Sequence, residues 1–345
     1  ERRWRSFNYL PRAHGIPVAH GRLREQPDDF LVEELLGFEP DGEGEHTLLR
    51  LRKTDANTEW VARQLARFAR VPVSAVGYAG LKDRRAVATQ WFSIHVPGVS
   101  PDWEGFRTEG VEVRECHRHR KKLRRGALLG NRFVIRVRDL TTDPAALRER
   151  WKRACDLGVP NYFGPQRFGK GDGNLAGAQA LFARQAKRVG RHLRGLWLSA
   201  ARSQLFNEVL AVRVERGDWD RPLSGDRMQL AGSRSHFLIE TPSDDMCERA
   251  QSFDIDPTGP LWGAGELGTA GDAAALELAV LQGFPAWTEG LVRAGLGQER
   301  RPLRLRLTDP DLGLAGGVAE IAFTLRAGGF ATAVLRELLE WFEPD

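Results

Sequence analysis

Two segments near the start of the chain, DDFLVEELLGF (28 to 38) and HTLLRLRKT (46 to 54), alternate apolar and polar residues with a period of two. That pattern constrains the fold more than any other feature, because successive side chains of a strand point to opposite faces and such segments need a sheet with one face buried. QWFSIHV and RFVIRV repeat it further along, and Trp91, Phe92 and Phe133 within them read as strand-core aromatics. Helical periods lie between. NTEWVARQLARFAR starts with Asn57 or Thr58 as a cap, sets Trp60, Val61, Leu65 and Phe68 on one face and ends before Pro72. DPAALRERWKRACDLG has Pro144 in its first turn and Gly158 just past its end. NLAGAQALFARQAKR and LSAARSQLFNEVLAVRVERG read as further helices, and AEIAFTLRAGG as a strand that turns into the helix FATAVLRELLEWF. From about 188 to 304 the texture changes, and DPTGPLWGAGELGTAGD suggests turns in a separate module.

At 345 residues, 41% hydrophobic and 28% charged, the chain is long enough for a full core and suggests two domains or one large one. No run of about 18 apolar residues is present, and ERRWRSFNYLPRAHG has no apolar signal core, so a cytoplasmic protein with no membrane partner is expected. Cys116, Cys155 and Cys247 are scattered and form no Cys-x-x-Cys pair, which indicates neither a disulfide framework nor a cysteine zinc site. The net charge of +5 hides an asymmetry. Residues 1 to 200 carry 37 Lys plus Arg against 23 Asp plus Glu, and residues 201 to 345 carry 14 against 23. Between 51 and 200 the balance is 30 against 13, a basic field of the kind that draws in nucleic acid. Its densest part is HRHRKKLRR, with Arg118, Arg120, Lys121, Lys122, Arg124 and Arg125, which reads either as a phosphate-binding run or as a solvated loop.

Several chemistries are disfavoured. No Walker-type run occurs, and RFGKGDGN lacks its spacing. The zinc-deaminase pattern and the Gly-x-Ser-x-Gly elbow are absent, and Cys116, His117 and His119 lack a second ligand pair in sequence. What stands out is GYAGLKDRRAVATQWFSIHV, where Asp83 sits among Lys82, Arg84 and Arg85 just before a strand. A solvated turn is one reading, since exposed charges contribute little. The other is a reacting carboxylate, kept ionised by neighbouring cations beside a polyanion.

AGLKDRRAVATQWFS (79 to 93), GVPNYFGPQRFG (158 to 169), DDFLVEELLGFEPDGEGEH (28 to 46), WLSAARSQLFN (197 to 207) and GGFATAVLREL (328 to 338) span nearly the whole chain. Their sequence and order resemble the tRNA pseudouridine synthase D family. The resemblance implies conversion of uridine 13 in the D-stem of tRNA to pseudouridine, without cofactor or metal. It also implies an α+β (mixed α/β) fold: a catalytic domain with a mixed, largely antiparallel β-sheet flanked by helices, plus a smaller inserted α/β domain. The expected division is 1–187 and 305–345 for the catalytic domain and 188–304 for the insertion, in a monomer.

Carried over residue by residue, the resemblance makes Asp83 the catalytic carboxylate and puts Phe30, Asn161 and Phe330 at substrate-binding positions, with Phe163 a neighbour in the same NYFG block. Arg24, Lys82 and Arg84 are also expected to bind substrate; Arg24 stands where some members have lysine, and Ala88 where the motif often has threonine. Lys82, Arg84 or Arg85 would lower the pKa of the carboxylate and help it tolerate nearby phosphates. A uracil taken out of its stack needs a flat apolar wall and an amide for its polar edge, which Phe and Asn supply; ordinary core packing is the competing reading for the phenylalanines. Two other functions remain open: an RNA-binding protein without catalysis, which would not need Asp83, and an N-glycosidase that releases free base.

Overall fold

The structure, a computed structural model, describes residues 3–98, 101–186 and 189–344. The expected domain junction at 187 and 188 lies outside the described residues. By its contacts the chain divides into two compact units. One comprises Glu1–Pro17, Lys152–Arg306 and Phe330–Leu338, and the other Val18–Trp151, Leu307–Gly329 and Leu339–Asp345.

The second of these units is built on a ten-stranded sheet. Its main path runs Thr308–Ala315, Val318–Arg326, Leu128–Thr142, Phe30–Leu36, Val87–His95, His46–Thr54 and Val111–His119. Ala19–Arg22, Leu339–Phe342 and Val76–Tyr78 pair beside it. Two pairings are parallel, Phe30–Leu36 with Val87–His95 and Ala19–Arg22 with Leu339–Phe342, and the others are antiparallel. The mixed, largely antiparallel sheet is therefore as the family resemblance implies. Alternation sets its faces: Phe30, Val32 and Glu34 are buried, while Leu31 and Glu33 between them are partly exposed.

The helix Thr58–Ala69 covers part of this sheet with Val61, Ala62, Leu65 and Ala66, packed against Leu49, Leu51, Phe92 and Ile94. Trp60 and Phe68, expected on the buried face, are only partly buried, and the two alanines take their place. The Asn57 side chain accepts from the N–H groups of Glu59 (2.9 Å) and Trp60 (3.2 Å). A cap of this kind contributes about 1 kcal/mol. Arg70 ends the helix in the left-handed region at φ 56°.

The other unit holds a four-stranded antiparallel sheet in the order His236–Leu238, Arg227–Leu230, Ile255–Leu261 and Glu299–Pro302, and a two-stranded pair of Val159–Pro160 with Arg304–Leu305. The long helix Arg191–Arg216 runs through it with Leu205, Phe206, Val209 and Leu210 buried, and stops at Gly217 in the left-handed region (φ 73°).

Three expectations change. The terminal helix spans Ala331–Leu338, and Leu339–Phe342 is a strand, because its backbone groups find a parallel partner in Ala19–Arg22. The proline- and glycine-rich stretch read as turns begins with the strand Ile255–Leu261; Pro257 keeps its carbonyl, which accepts from the Leu303 N–H at 2.8 Å. The helix read from NLAGAQALFARQAKR covers Gly173–Phe182, and Arg184 just beyond it adopts φ 58°.

Candidate active site

Asp83 sits in the loop between the strands Val76–Tyr78 and Val87–His95. Buried polar groups hold that loop. The Gln90 side chain donates to the Gly80 carbonyl (2.7 Å) and accepts from the Thr58 hydroxyl (3.0 Å), whose oxygen accepts in turn from the Lys82 N–H (3.2 Å). Lys53, fully buried, donates to the carbonyls of Ala56 (2.7 Å) and Asp83 (3.4 Å). Fixed backbone on both sides of one acid is what a reacting carboxylate requires, since small misplacement costs rate.

The cation that reaches the Asp83 carboxylate is Arg24, with Nη2 at 2.7 Å from Oδ2. Its Nη1 donates to both Glu343 oxygens at 3.2 Å, and its guanidinium lies 4.3 Å from the centre of the Phe30 ring. Asp83 keeps a third of its side-chain surface open. Arg24 itself has φ 57°, so its backbone is held in a region that non-glycine residues seldom occupy.

The three cations adjacent in sequence point elsewhere. Lys82 pairs with the buried Glu34 at 2.6 Å, Arg84 with Asp55 at 3.3 Å on the surface, and Arg85 donates to the Pro344 carbonyl at 2.7 Å. Burial pushes the Glu34 carboxyl up, against the pull of Lys82 and of the Trp91 N–H that donates to it at 2.9 Å. Burial likewise pushes the Lys53 ammonium down to about 8, with Lys82 adding to the effect and Asp83 and Glu34 opposing it.

Sequence reasoning missed Lys53, Glu34 and Glu343. For two of them a signal existed: Glu34 is in phase with Phe30 and Val32, and Lys53 with Leu49 and Leu51, so each is a charge on the apolar face of an alternating strand. Such a charge must be paired or hydrogen-bonded.

Asn161, Phe163 and Phe330 come together in the unit formed by Glu1–Pro17, Lys152–Arg306 and Phe330–Leu338. The Phe163 ring meets Phe330 at 5.8 Å and Phe206 at 5.6 Å, both edge-on. Asn207 clamps the Phe163 backbone, accepting from its N–H (2.9 Å) and donating to its carbonyl (3.1 Å). The Asn161 amide donates to the Pro302 carbonyl (2.8 Å) and accepts from Arg301 (2.6 Å). Gly164 is required here: a Cβ would lie 2.5 Å from the Thr332 hydroxyl and 3.0 Å from the Phe330 ring. Arg301 and Arg167, which sequence reasoning did not single out, both approach the Phe163 ring, at 4.1 and 5.3 Å.

The basic run divides. Arg118 lies in the strand Val111–His119, whereas Arg120, Lys121, Lys122, Arg124 and Arg125 follow it in an exposed loop anchored by buried Leu123. The Leu123 N–H donates to the Ser93 hydroxyl at 2.8 Å. Arg120 pairs with Glu43, and Lys122 donates to the Ser74 carbonyl at 2.5 Å. Among the described residues no helix is long and apolar enough to cross a membrane.

Comparison with known proteins joins these observations. The family model of tRNA pseudouridine synthase D (TruD) matches residues 8–181 and 173–338. The chain is 48% identical over 343 residues to the tRNA pseudouridine synthase D of Methylococcus capsulatus (strain Bath), covering 98% of this chain and 96% of that one. It is 46% identical over 334 residues to that of Aeromonas hydrophila, covering 96% and 94%. The crystal structure of a candidate tRNA pseudouridine synthase D from Methanosarcina mazei shares the fold, with a TM-score of 0.72 over 95% of each chain at 23% identity. The chain belongs to the tRNA pseudouridine synthase D family, isomerases that convert uridine to pseudouridine in tRNA.

Proposed function

We propose that this chain converts uridine 13, in the D-stem of tRNA, to pseudouridine, with Asp83 as the reacting carboxylate. The reaction breaks the ribose C1′–N1 bond, turns the freed uracil and joins C1′ to C5. C5 then gives up its proton and N1, freed from the ribose, gains one, so atoms and oxidation state are unchanged and no redox partner is called for. Asp83 serves this sequence as a nucleophile at C1′ or as a base toward a ribose proton, and in either case must be ionised when the base leaves. The observation that carries the assignment is the Arg24–Asp83 pair at 2.7 Å, stacked on Phe30 and held by a loop whose backbone is tied to buried side chains.

Arg24 orients the carboxylate through the 2.7 Å contact. Phe30 offers the apolar surface next to it, and Asn161, Phe163 and Phe330 contribute to substrate binding, with the exposed run Arg120 to Arg125 contacting phosphates. Lys82 and Arg84 act at one remove, through Glu34 and Asp55. We also propose 1–187 and 305–345 as the catalytic domain and 188–304 as the family-specific insertion. In support, the ten-stranded sheet draws its strands from 19–142 and 308–342. The contact-based units change over at other positions, 151 and 306 among them. A cytoplasmic monomer acting on tRNA completes the reading.

The test is to incubate the protein with unmodified tRNA and map pseudouridine by carbodiimide-dependent reverse-transcription stops. A stop at position 13 is expected. Release of free uracil would instead mean N-glycosidase activity, and unaltered RNA bound by the protein would mean binding without catalysis.

A further inference from the structure

Between Asp172 and Glu208 the sequence holds six Lys plus Arg and no Asp or Glu. Arg184, Arg191 and Arg194 belong to this run and are exposed, and among the described residues none of the three forms an ion pair. Arg184 lies just past the helix Gly173–Phe182, while Arg191 and Arg194 stand in the first turn of Arg191–Arg216. A third helix, Pro285–Arg293, completes the patch. Arg184, Arg194 and Arg293 line one hollow of about 150 Å³ together with buried Phe182 and Leu198. Gly290 permits the close approach, since a Cβ there would run into the Phe182 ring. Arg293 pairs with Glu289 at 3.1 Å, but both are exposed and such a pair contributes little.

The stability of the helices does not account for these cations. The N-terminal end of a helix carries partial positive charge, so anions suit it and cations are disfavoured. Arg191–Arg216 nevertheless has no acid in its first turn, and Gly190 before it supplies no side-chain cap. Arg184 suits the negative end of Gly173–Phe182 by charge, yet its backbone takes the left-handed region at φ 58°, where glycine is the ordinary residue after a helix. What the guanidiniums have in common is the hollow they line. Each is a planar fork of the kind that takes a phosphate through paired hydrogen bonds. At about 150 Å³ the hollow is smaller than the roughly 300–1,000 Å³ of a small-molecule pocket, so it suits a group presented by a larger molecule.

We propose that Arg184, Arg191, Arg194 and Arg293 form an RNA-contacting surface that takes phosphodiesters of the tRNA substrate, in addition to the run Arg120 to Arg125. The inference rests on reading the chain as an isomerase of tRNA. RNA is favoured over an acidic protein because an enzyme that already holds a tRNA gains each further phosphate contact at high effective concentration.

The experiment uses full-length protein and unmodified tRNA. Arg191→Gln combined with Arg194→Gln should weaken tRNA binding about tenfold at physiological salt and flatten its salt dependence by about one to two units. In pseudouridine formation KM should rise while kcat holds. The melting temperature should not fall, because two cations leave the positive end of a helix. Phosphates whose ethylation blocks binding to wild-type protein should include some that no longer matter to the variant. Arg184→Gln with Arg293→Gln repeats the comparison on the other two helices, and carries it if the first pair of substitutions prevents folding. Unchanged affinity and salt slope in folded variants would overturn the surface, as would a lower melting temperature with tRNA binding intact, which would make the arginines structural. Capture of wild-type protein by phosphatidylserine vesicles, lost in the variants while tRNA affinity stays the same, would assign the patch to a membrane surface and overturn it too. Pseudouridine assayed on wild-type protein at saturating tRNA separates the two readings: no product alongside an altered salt slope in the variants would refute the isomerase and leave the surface standing, and product with an unaltered slope would refute the surface alone.

Discussion

Replacing Arg24 by glutamine tests the geometry on which the assignment of Asp83 depends. The substitution removes a charge-assisted hydrogen bond of 2.7 Å to Asp83 and the paired contacts of 3.2 Å to Glu343. It also leaves two carboxylates that had shared one guanidinium. A hydrogen bond to a charged group contributes about 1.5–3 kcal/mol. Because Arg24 is largely covered while Asp83 is a third exposed, water screens part of that and the lower half of the range applies. If the loss falls on the step in which the base leaves, about 1.5–2.2 kcal/mol corresponds to a fall of roughly 10- to 40-fold in kcat/KM. Arg24→Lys keeps the charge but can neither fork between Asp83 and Glu343 nor lie flat on Phe30, so a loss of about 3- to 10-fold is expected. The assay is single-turnover pseudouridine formation on unmodified tRNA, with tRNA affinity and melting temperature measured on the same preparations. A rate above half that of wild type in Arg24→Gln, with fold and binding intact, would refute the claim that Arg24 positions the reacting carboxylate.

Asp83→Asn should leave less than about a hundredth of the wild-type rate while the protein still folds and binds tRNA, and a higher residual rate would remove Asp83 from the chemistry. Neutralising Lys121 and Arg125 together should flatten the salt dependence of tRNA binding by about one to two units, and an unchanged slope would make this run a solvated loop. Lys53 titrates at about 8 in the fold against an ordinary 10.5, so between those values the unfolded chain holds more protons and stability rises with pH. The rise amounts to at most about 3 kcal/mol, and chemical denaturation across that window should show it shrink in Lys53→Met.

The sequence by itself determined which faces of the strands are buried and where several helices start and stop, and it singled out Asp83 as the carboxylate proposed to react. Phe30 and Val32 point inward because alternation permits one choice of face, and Asn57 and Gly158 mark a helix start and a helix end because the backbone there needs a side-chain acceptor in one case and a positive φ in the other. The motif around Asp83 likewise travels as contiguous residues. Partnership does not. Periodicity reports a face and never the residue opposite, so the cations beside Asp83 in sequence were the natural candidates, yet Arg24, 59 positions away, makes the pair. Lys82 turns instead to Glu34, because a carboxylate buried by its strand register is costly without a cation and Lys82 is the one that reaches it. The same holds for Leu339–Phe342, which carries on a helical pattern in sequence and becomes a strand once Ala19–Arg22 offers its unpaired backbone. Local pattern sets the conformation a segment can adopt, and the order of strands in the sheet decides which groups, far apart in sequence, meet and so which charges can be satisfied.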